Sequence, residues 1–188
     1  GNLAGVQQKL DHLVALGVNV IWLMPIQTNG GPLNSPYCIS NFYEVDEEYG
    51  TLADLRAFVD EAHNRDMAVI LDWVANHTSW DHPWIDSVGW HTTDAQGNII
   101  HPSGTNWTDV ADLNFENLDL QHQMIEAMRY WVLETTVDGY RCDAADYVPF
   151  DFWQKAIDSL RSIPNREIIM LAEGARTDHF DAGFDMNF

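Results

Sequence analysis

The chain has 188 residues, enough for one domain or for part of a larger one. Nine Lys and Arg against 29 Asp and Glu give a formal charge of -20, which argues against nucleic acid or an anionic membrane as partner, since most of the surface would repel a polyanion. Eight Trp, six Tyr and eight Phe in a 46% apolar composition exclude a disordered chain, and no apolar run approaches the roughly 20 residues of a membrane span.

In chain order, Val6, Leu10, Leu13 and Val14 fall at helical spacing between Asn2 and Gly17, and the glycine suits a helix stop. Val18 to Met24 reads as a buried strand closed by Pro25, and the Asn-, Gly-, Pro- and Ser-rich stretch from Gln27 to Asn41 as a loop. Thr51 is a natural N-cap for a helix that gathers Leu52, Leu55, Phe58, Val59 and Ala62 on one face. A strand from Met67 to Leu71 ends in Asp72. The segment from His77 to about Asn117 breaks this rhythm, holds four of the eight Trp, and is expected to be a small insertion. A helix over 118–135, a strand over 139–143, a helix over 151–163 and a strand over 167–172 ending at Glu173 complete the pattern, with a short strand beginning near Phe184. Alternating apolar strands and helices predict a parallel sheet with helices outside it, as in a doubly wound sheet or a barrel. Cys38 and Cys142 are too few for a disulfide framework or a four-ligand zinc site; two buried thiols are expected rather than one bridge.

The chemistry gathers at strand ends. Asp72, Asp143 and Glu173 close three successive predicted strands, and a buried strand ending in an acid is costly unless that acid meets solvent, a cation or a substrate. Arg141 precedes Asp143 by two residues, so both side chains point to one face, and the guanidinium is expected to hold Asp143 ionised. Glu173 has no basic neighbour along its own strand and is expected to be free to hold a proton. One charged carboxylate beside one protonated acid is the pair that glycoside hydrolysis uses. His82, His91 and His101 fit no compact zinc spacing and read as loop residues. Trp80, Trp84, Trp90 and Trp107 suit either a sugar platform or the packing of a small insertion.

Asp72-Trp73-Val74-Ala75-Asn76-His77, Gly139-Tyr140-Arg141-Cys142-Asp143-Ala144-Ala145 and Leu171-Ala172-Glu173-Gly174 resemble, in order and separation, three signature regions of the alpha-amylase superfamily, glycoside hydrolase family 13. Asp112-Leu113-Asn114 resembles the motif of its inserted B domain, and Tyr37 with Tyr49-Gly50-Thr51 the segment before the third barrel strand. The resemblance implies an α/β fold, a partial (β/α)8 TIM barrel comprising about strands two to six, with residues 1–188 an incomplete catalytic domain and 78–117 its B subdomain. It implies Asp143 as nucleophile, Glu173 as general acid/base and Arg141 as the orienting cation. By the same resemblance His77 would bond the sugar, Tyr37 would stack on it, and Asp72 would support the site. Asn76 and Asp112 match two positions that ligate a structural Ca2+ in many members, although here Ala145-Asp146-Tyr147 stands where calcium-binding members often have Lys-His, and Asn41 where an Asp is usual. No cofactor is implied for the chemistry.

The implied activity is retaining hydrolysis of alpha-1,4-glucosidic bonds in starch-like glucans or malto-oligosaccharides. An oligosaccharide alpha-glucosidase or a transglycosylase of the same superfamily, and a non-catalytic barrel acting as a binding protein, are the alternatives. Because a complete barrel takes about 250 residues, the chain reads as a central fragment, expected to be inactive and poorly stable alone. An acidic surface and a polymeric substrate favour a secreted or periplasmic location.

Overall fold

The computed structural model describes residues 1–31 and 35–188. Five strands form one parallel sheet: β1 (Val20–Leu23), β4 (Ala68–Trp73), β7 (Gly139–Cys142), β8 (Ile169–Ala172) and β9 (Met186–Asn187), in the order β1-β4-β7-β8-β9. Spatial order follows chain order without the reversal that defines a doubly wound sheet, which leaves the barrel as the matching architecture. The helices α1 (Leu3–Gln7), α2 (Leu10–Ala15), α3 (Leu52–His63), α4 (Leu118–Thr135), α5 (Phe150–Arg161) and α6 (His179–Ala182) alternate with the sheet strands. Among the described residues, no helix is long and apolar enough to cross a membrane.

Strand alternation divides the sheet into two chemical faces. Trp73, Tyr140, Cys142, Met170 and Ala172 point outward into the core made with the helices. Phe58 of α3, Trp131 of α4 and Trp153 of α5 are fully buried there. Ile70, Asp72, Arg141 and Leu171 occupy the alternate, inward positions of the same strands. Two of the long helices, α3 and α4, begin on a capping signal written in the chain. Thr51 and Asp54 form a reciprocal capping box for α3, and Asn117 accepts hydrogen bonds from the Asp119 and Leu120 amides at the start of α4. At the foot of β7, Gly139 has φ +148, and a Cβ there would lie 1.9 Å from the Ile169 carbonyl oxygen of β8. Glycine alone fits so close an approach.

Two expectations about local structure fail. The helix expected over residues 2–17 is broken into α1 and α2. Lys9 N donates to the Val6 carbonyl at 2.8 Å, a bond over three residues that tightens the turn, and Val14 ends 45% exposed instead of facing the core. The loop expected over 27–41 instead carries an antiparallel hairpin of β2 (Gln27–Asn29) and β3 (Ile39–Val45), fastened by Asp46, which accepts from Asn29 Nδ2 at 3.1 Å. Pro32, Leu33 and Asn34 of that predicted loop lie outside the described residues. Phe42 of β3 is drawn into the core by Trp73, so tertiary packing overrides the turn-rich composition nearby.

After β4, the strands β5 (His77–Ser79) and β6 (Val110–Asp112) pair antiparallel, with a short 3-10 turn over Pro83–Asp86 between them. This segment packs on rings: Phe42 to Trp84 at 5.0 Å, His82 to Trp84 at 4.7 Å and Trp84 to Trp90 at 5.1 Å between centroids. Trp84 and Trp90 are thus packing residues, whereas Trp107 stands apart against Tyr147 at 5.3 Å. Both cysteine thiols are free and buried.

Candidate active site

Parallel register assembles the charged residues at one end of the sheet. Asp72 lies opposite Arg141, and Arg141 opposite Leu171. The ladder then continues one residue past the strands, with Asp143 N donating to Trp73 O at 2.9 Å and Glu173 N to Cys142 O at 3.0 Å. Asp143 and Glu173 therefore stand beside each other at neighbouring strand tips. Both border a cleft of about 360 Å³, lined also by Tyr37, His77, Trp107 and Arg141, a size ordinary for a small-molecule site.

One guanidinium joins all three acids. Arg141 Nη1 lies 2.9 Å from Asp72 Oδ1 and 2.8 Å from Asp143 Oδ1, while Nη2 lies 2.8 Å from Glu173 Oε2. Its carbon sits 4.8 Å from the centre of the Trp22 ring, a cation–π contact, and Trp22 Nε1 donates to Asp72 Oδ2 at 3.0 Å. Side-chain exposure rises from 0% for Asp72 through 14% for Asp143 to 42% for Glu173. Asp72 is sealed off as a counterion, and the other two carboxylates remain open to a ligand.

Two electrostatic expectations need correction. Arg141 was expected to keep Asp143 ionised, yet burial pushes this carboxyl up to about 7 against the pull of Arg141, with Asp72 and Glu173 adding to the rise. The cation is shared among three acids, so its charge does not offset the loss of water. Glu173 was expected to be free of a cation because it has no basic neighbour along its own strand, but Arg141 reaches it from the next strand at 2.8 Å. Inspection of one strand cannot see a partner supplied by register.

Of the remaining predicted residues, Tyr37 and His77 border this cleft, Asn76 lies behind His77, and Asp112 lines a separate cleft. Tyr37 donates its hydroxyl to Asp72 Oδ2 at 3.4 Å, and burial followed by the Asp72 charge pushes it up to about 12. Burial brings His77 down to about 4, so its ring is neutral at pH 7. Nε2 lies 3.3 Å from the Tyr37 carbonyl, which only accepts, so Nε2 carries the hydrogen and Nδ1 accepts from Asn76 Nδ2, also at 3.3 Å. Both ring nitrogens thus meet protein partners, although the ring borders the cleft. Asn76 is buried with its amide nitrogen turned to His77, and Asp112 is raised by burial. Calcium takes six to eight oxygens, and among the described residues no group of three or more His, Cys, Asp and Glu is placed to hold a metal.

Neither Trp22 nor Tyr147 was assigned to the site from the sequence, Tyr147 being noted only as a departure from the family pattern. Trp22 had a signal, since alternation along β1 puts Val20, Trp22 and Met24 on one face, and all three are exposed. Tyr147 had none, because its contact with Trp107 spans two separate loops.

Comparison with known proteins agrees with this geometry. The family model for the alpha amylase catalytic domain matches residues 1–106 and 90–184. Alpha-amylase MalA of Haloarcula japonica is 30% identical over 97% of this chain and 28% of its own length. Trehalose synthase of Pimelobacter sp. is 34% identical over 79% of this chain and 30% of its own length. The crystal structure of an alpha-amylase from Lactobacillus plantarum superposes with a TM-score of 0.90 at 36% identity, covering 99% of this chain and 48% of that one. The chain spans about a third or less of these curated relatives and just under half of that solved chain. With its parallel barrel segment and its acids gathered at the strand tips, the chain belongs to the alpha-amylase family and represents part of its catalytic domain.

Proposed function

We propose that this chain carries the catalytic centre of a retaining glycosidase acting on alpha-1,4-glucosidic bonds in starch-like glucans or malto-oligosaccharides. The observation that supports this most is the single guanidinium of Arg141 at 2.8 Å from both Asp143 and Glu173, which keeps the two carboxyls close, as retaining enzymes require at about 5 Å. Asp143 attacks the anomeric carbon as Glu173 protonates the departing oxygen, giving a glycosyl ester and a free alcohol. Glu173, now a carboxylate, takes a proton from water, whose oxygen attacks the same carbon and releases Asp143. Arg141 orients both acids, Asp72 anchors Arg141, and Tyr37 and His77 contact the sugar. No cofactor enters either step. Residues 78–117 serve as an inserted subdomain that brings Trp107 to the cleft.

The likeness to a trehalose synthase supports a second reading, transfer of the glycosyl group to a sugar hydroxyl instead of water. One experiment addresses both. The protein from its complete reading frame is compared with Asp143→Asn and Glu173→Gln on starch, maltotriose, isomaltose and pullulan. Each substitution is expected to lower kcat by several orders of magnitude, because a covalent or proton-transfer step is removed. Near-full activity of Asp143→Asn overturns the assignment, and the products separate hydrolysis from transfer.

A further inference from the structure

Just beyond Asp143 the chain makes a tight 3-10 turn over Ala145–Tyr147, entered through Ala144 in the left-handed region at φ 45. The Asp146 carboxylate leaves this turn and caps the loop that follows Glu173. Oδ2 accepts from Ala175 N at 2.9 Å, and Oδ1 accepts from Arg176 N at 3.1 Å. The buried His179 ring closes the far side, its Nε2 3.4 Å from Oδ1. A Cβ on Gly174, the residue immediately after Glu173, would lie 2.3 Å from the same Oδ1, so this carboxylate occupies the space of the missing side chain.

The two loops are stitched at further points. Ala145 N donates to the Glu173 carbonyl at 2.9 Å, and Ala144 N to Glu173 Oε2 at 2.9 Å. Arg176 Nη1 returns to the carbonyls of Asp146 and Val148 at 3.2 and 3.1 Å, its guanidinium steadied by Asp178 at 2.8 Å. Bonds from backbone N–H to an ionised carboxylate are roughly twice as strong as neutral ones. Asp146 is therefore the hub tying the turn after Asp143 to the turn after Glu173.

We infer that Asp146 is a positioning residue, which fixes the Glu173 carboxyl relative to Asp143 by latching the loop beyond Glu173. This rests on the reading of Glu173 as the proton donor. A misplacement of about 1 Å costs roughly 100-fold in a step that needs alignment. Arg141 holds both acids alike; the cost falls on proton donation because the latched loop starts at the residue after Glu173, where Asp146 fills the space beside Gly174 and holds the amides of Ala175 and Arg176.

Leaving-group dependence tests the latch. In the protein from its complete reading frame, Asp146→Asn removes the charge and one acceptor, while Gly174→Ala forces the carboxylate off from the other side. kcat/KM is measured on maltotriose, whose leaving oxygen needs a proton, and on alpha-maltosyl fluoride, whose leaving group does not. Both variants are expected to lose about 10- to 100-fold on maltotriose, and at least tenfold less on the fluoride. Glu173→Gln in the same assay is expected to show the larger form of this split. Equal losses on both substrates, or none on either, while Glu173→Gln splits, overturn the latch. If Glu173→Gln itself shows no split, its assignment as the acid fails and the latch falls with it.

Discussion

Arg141 lies opposite Asp72 in the β4–β7 register, and a single nitrogen of its guanidinium is within 3.0 Å of both carboxylate oxygens of Asp72. Neither side chain reaches solvent to any useful extent, at 4% and 0% exposure, so each is the condition for the other's charge.

Arg141→Met therefore leaves three neighbouring carboxylates without their shared cation. Removing one partner of a buried pair costs about 3–5 kcal/mol. Chemical denaturation at pH 7 is expected to show a loss of that size, and the variant should recover stability in mild acid as the carboxyls take up protons.

The acid limb of the pH–rate profile reports the same cluster. On the proposed mechanism Asp143 must be ionised to attack, and its carboxyl is raised to about 7 from an ordinary 3.8, so kcat/KM should fall as pH drops below about 7 rather than below 4. The apparent value belongs to the coupled acids together. Asp72 contributes to the rise, so Asp72→Asn is expected to move the limb to lower pH; movement to higher pH contradicts this account.

Stability should run opposite to activity at Asp143. The folded value lies above the unfolded one, so ionising this carboxyl costs folding energy that grows from about pH 4 and is complete above about pH 7. Asp143→Asn, nearly isosteric and uncharged, is expected to be inactive yet to melt several degrees higher at pH 7.5, with the gain vanishing near pH 4. Thermal melts at three pH values read this directly.

The tryptophans should separate by role. Trp107 borders the cleft, so Trp107→Ala is expected to raise KM for oligosaccharides, aromatic stacking being worth about 0.5–1.5 kcal/mol, with a small change in Tm. Trp84 packs between Phe42, His82 and Trp90, so Trp84→Ala should cost about 3 kcal/mol of stability. Substrate titrations and melts on the two variants tell binding from packing.

Much of this site could be read from the chain because parallel strands repeat a simple rule. An apolar run ending in an acid puts that acid at the sheet's carboxyl edge, and Asp72, Asp143 and Glu173 obeyed it. The two-residue spacing of Arg141 and Asp143 gave their common face. Periodicity could not give the reach of Arg141 to Glu173, the indole of Trp22 beneath the guanidinium, or the net upward shift of Asp143. Those follow from register between strands and from water excluded by neighbours distant in sequence. The β2–β3 hairpin was hidden for a related reason, since three-residue β2 is too short to show a period and the seven residues of β3 do not alternate between buried and exposed.

Gly139 acts at the opposite end of the sheet from the acids. β7 and β8 are paired without a break from Gly139–Ile169 to Cys142–Ala172, a run of about 13 Å, so a displacement at the foot is carried along the ladder towards the tips. On the roles proposed for Asp143 and Glu173, a methyl group at residue 139 would therefore disturb the gap that a sugar has to bridge.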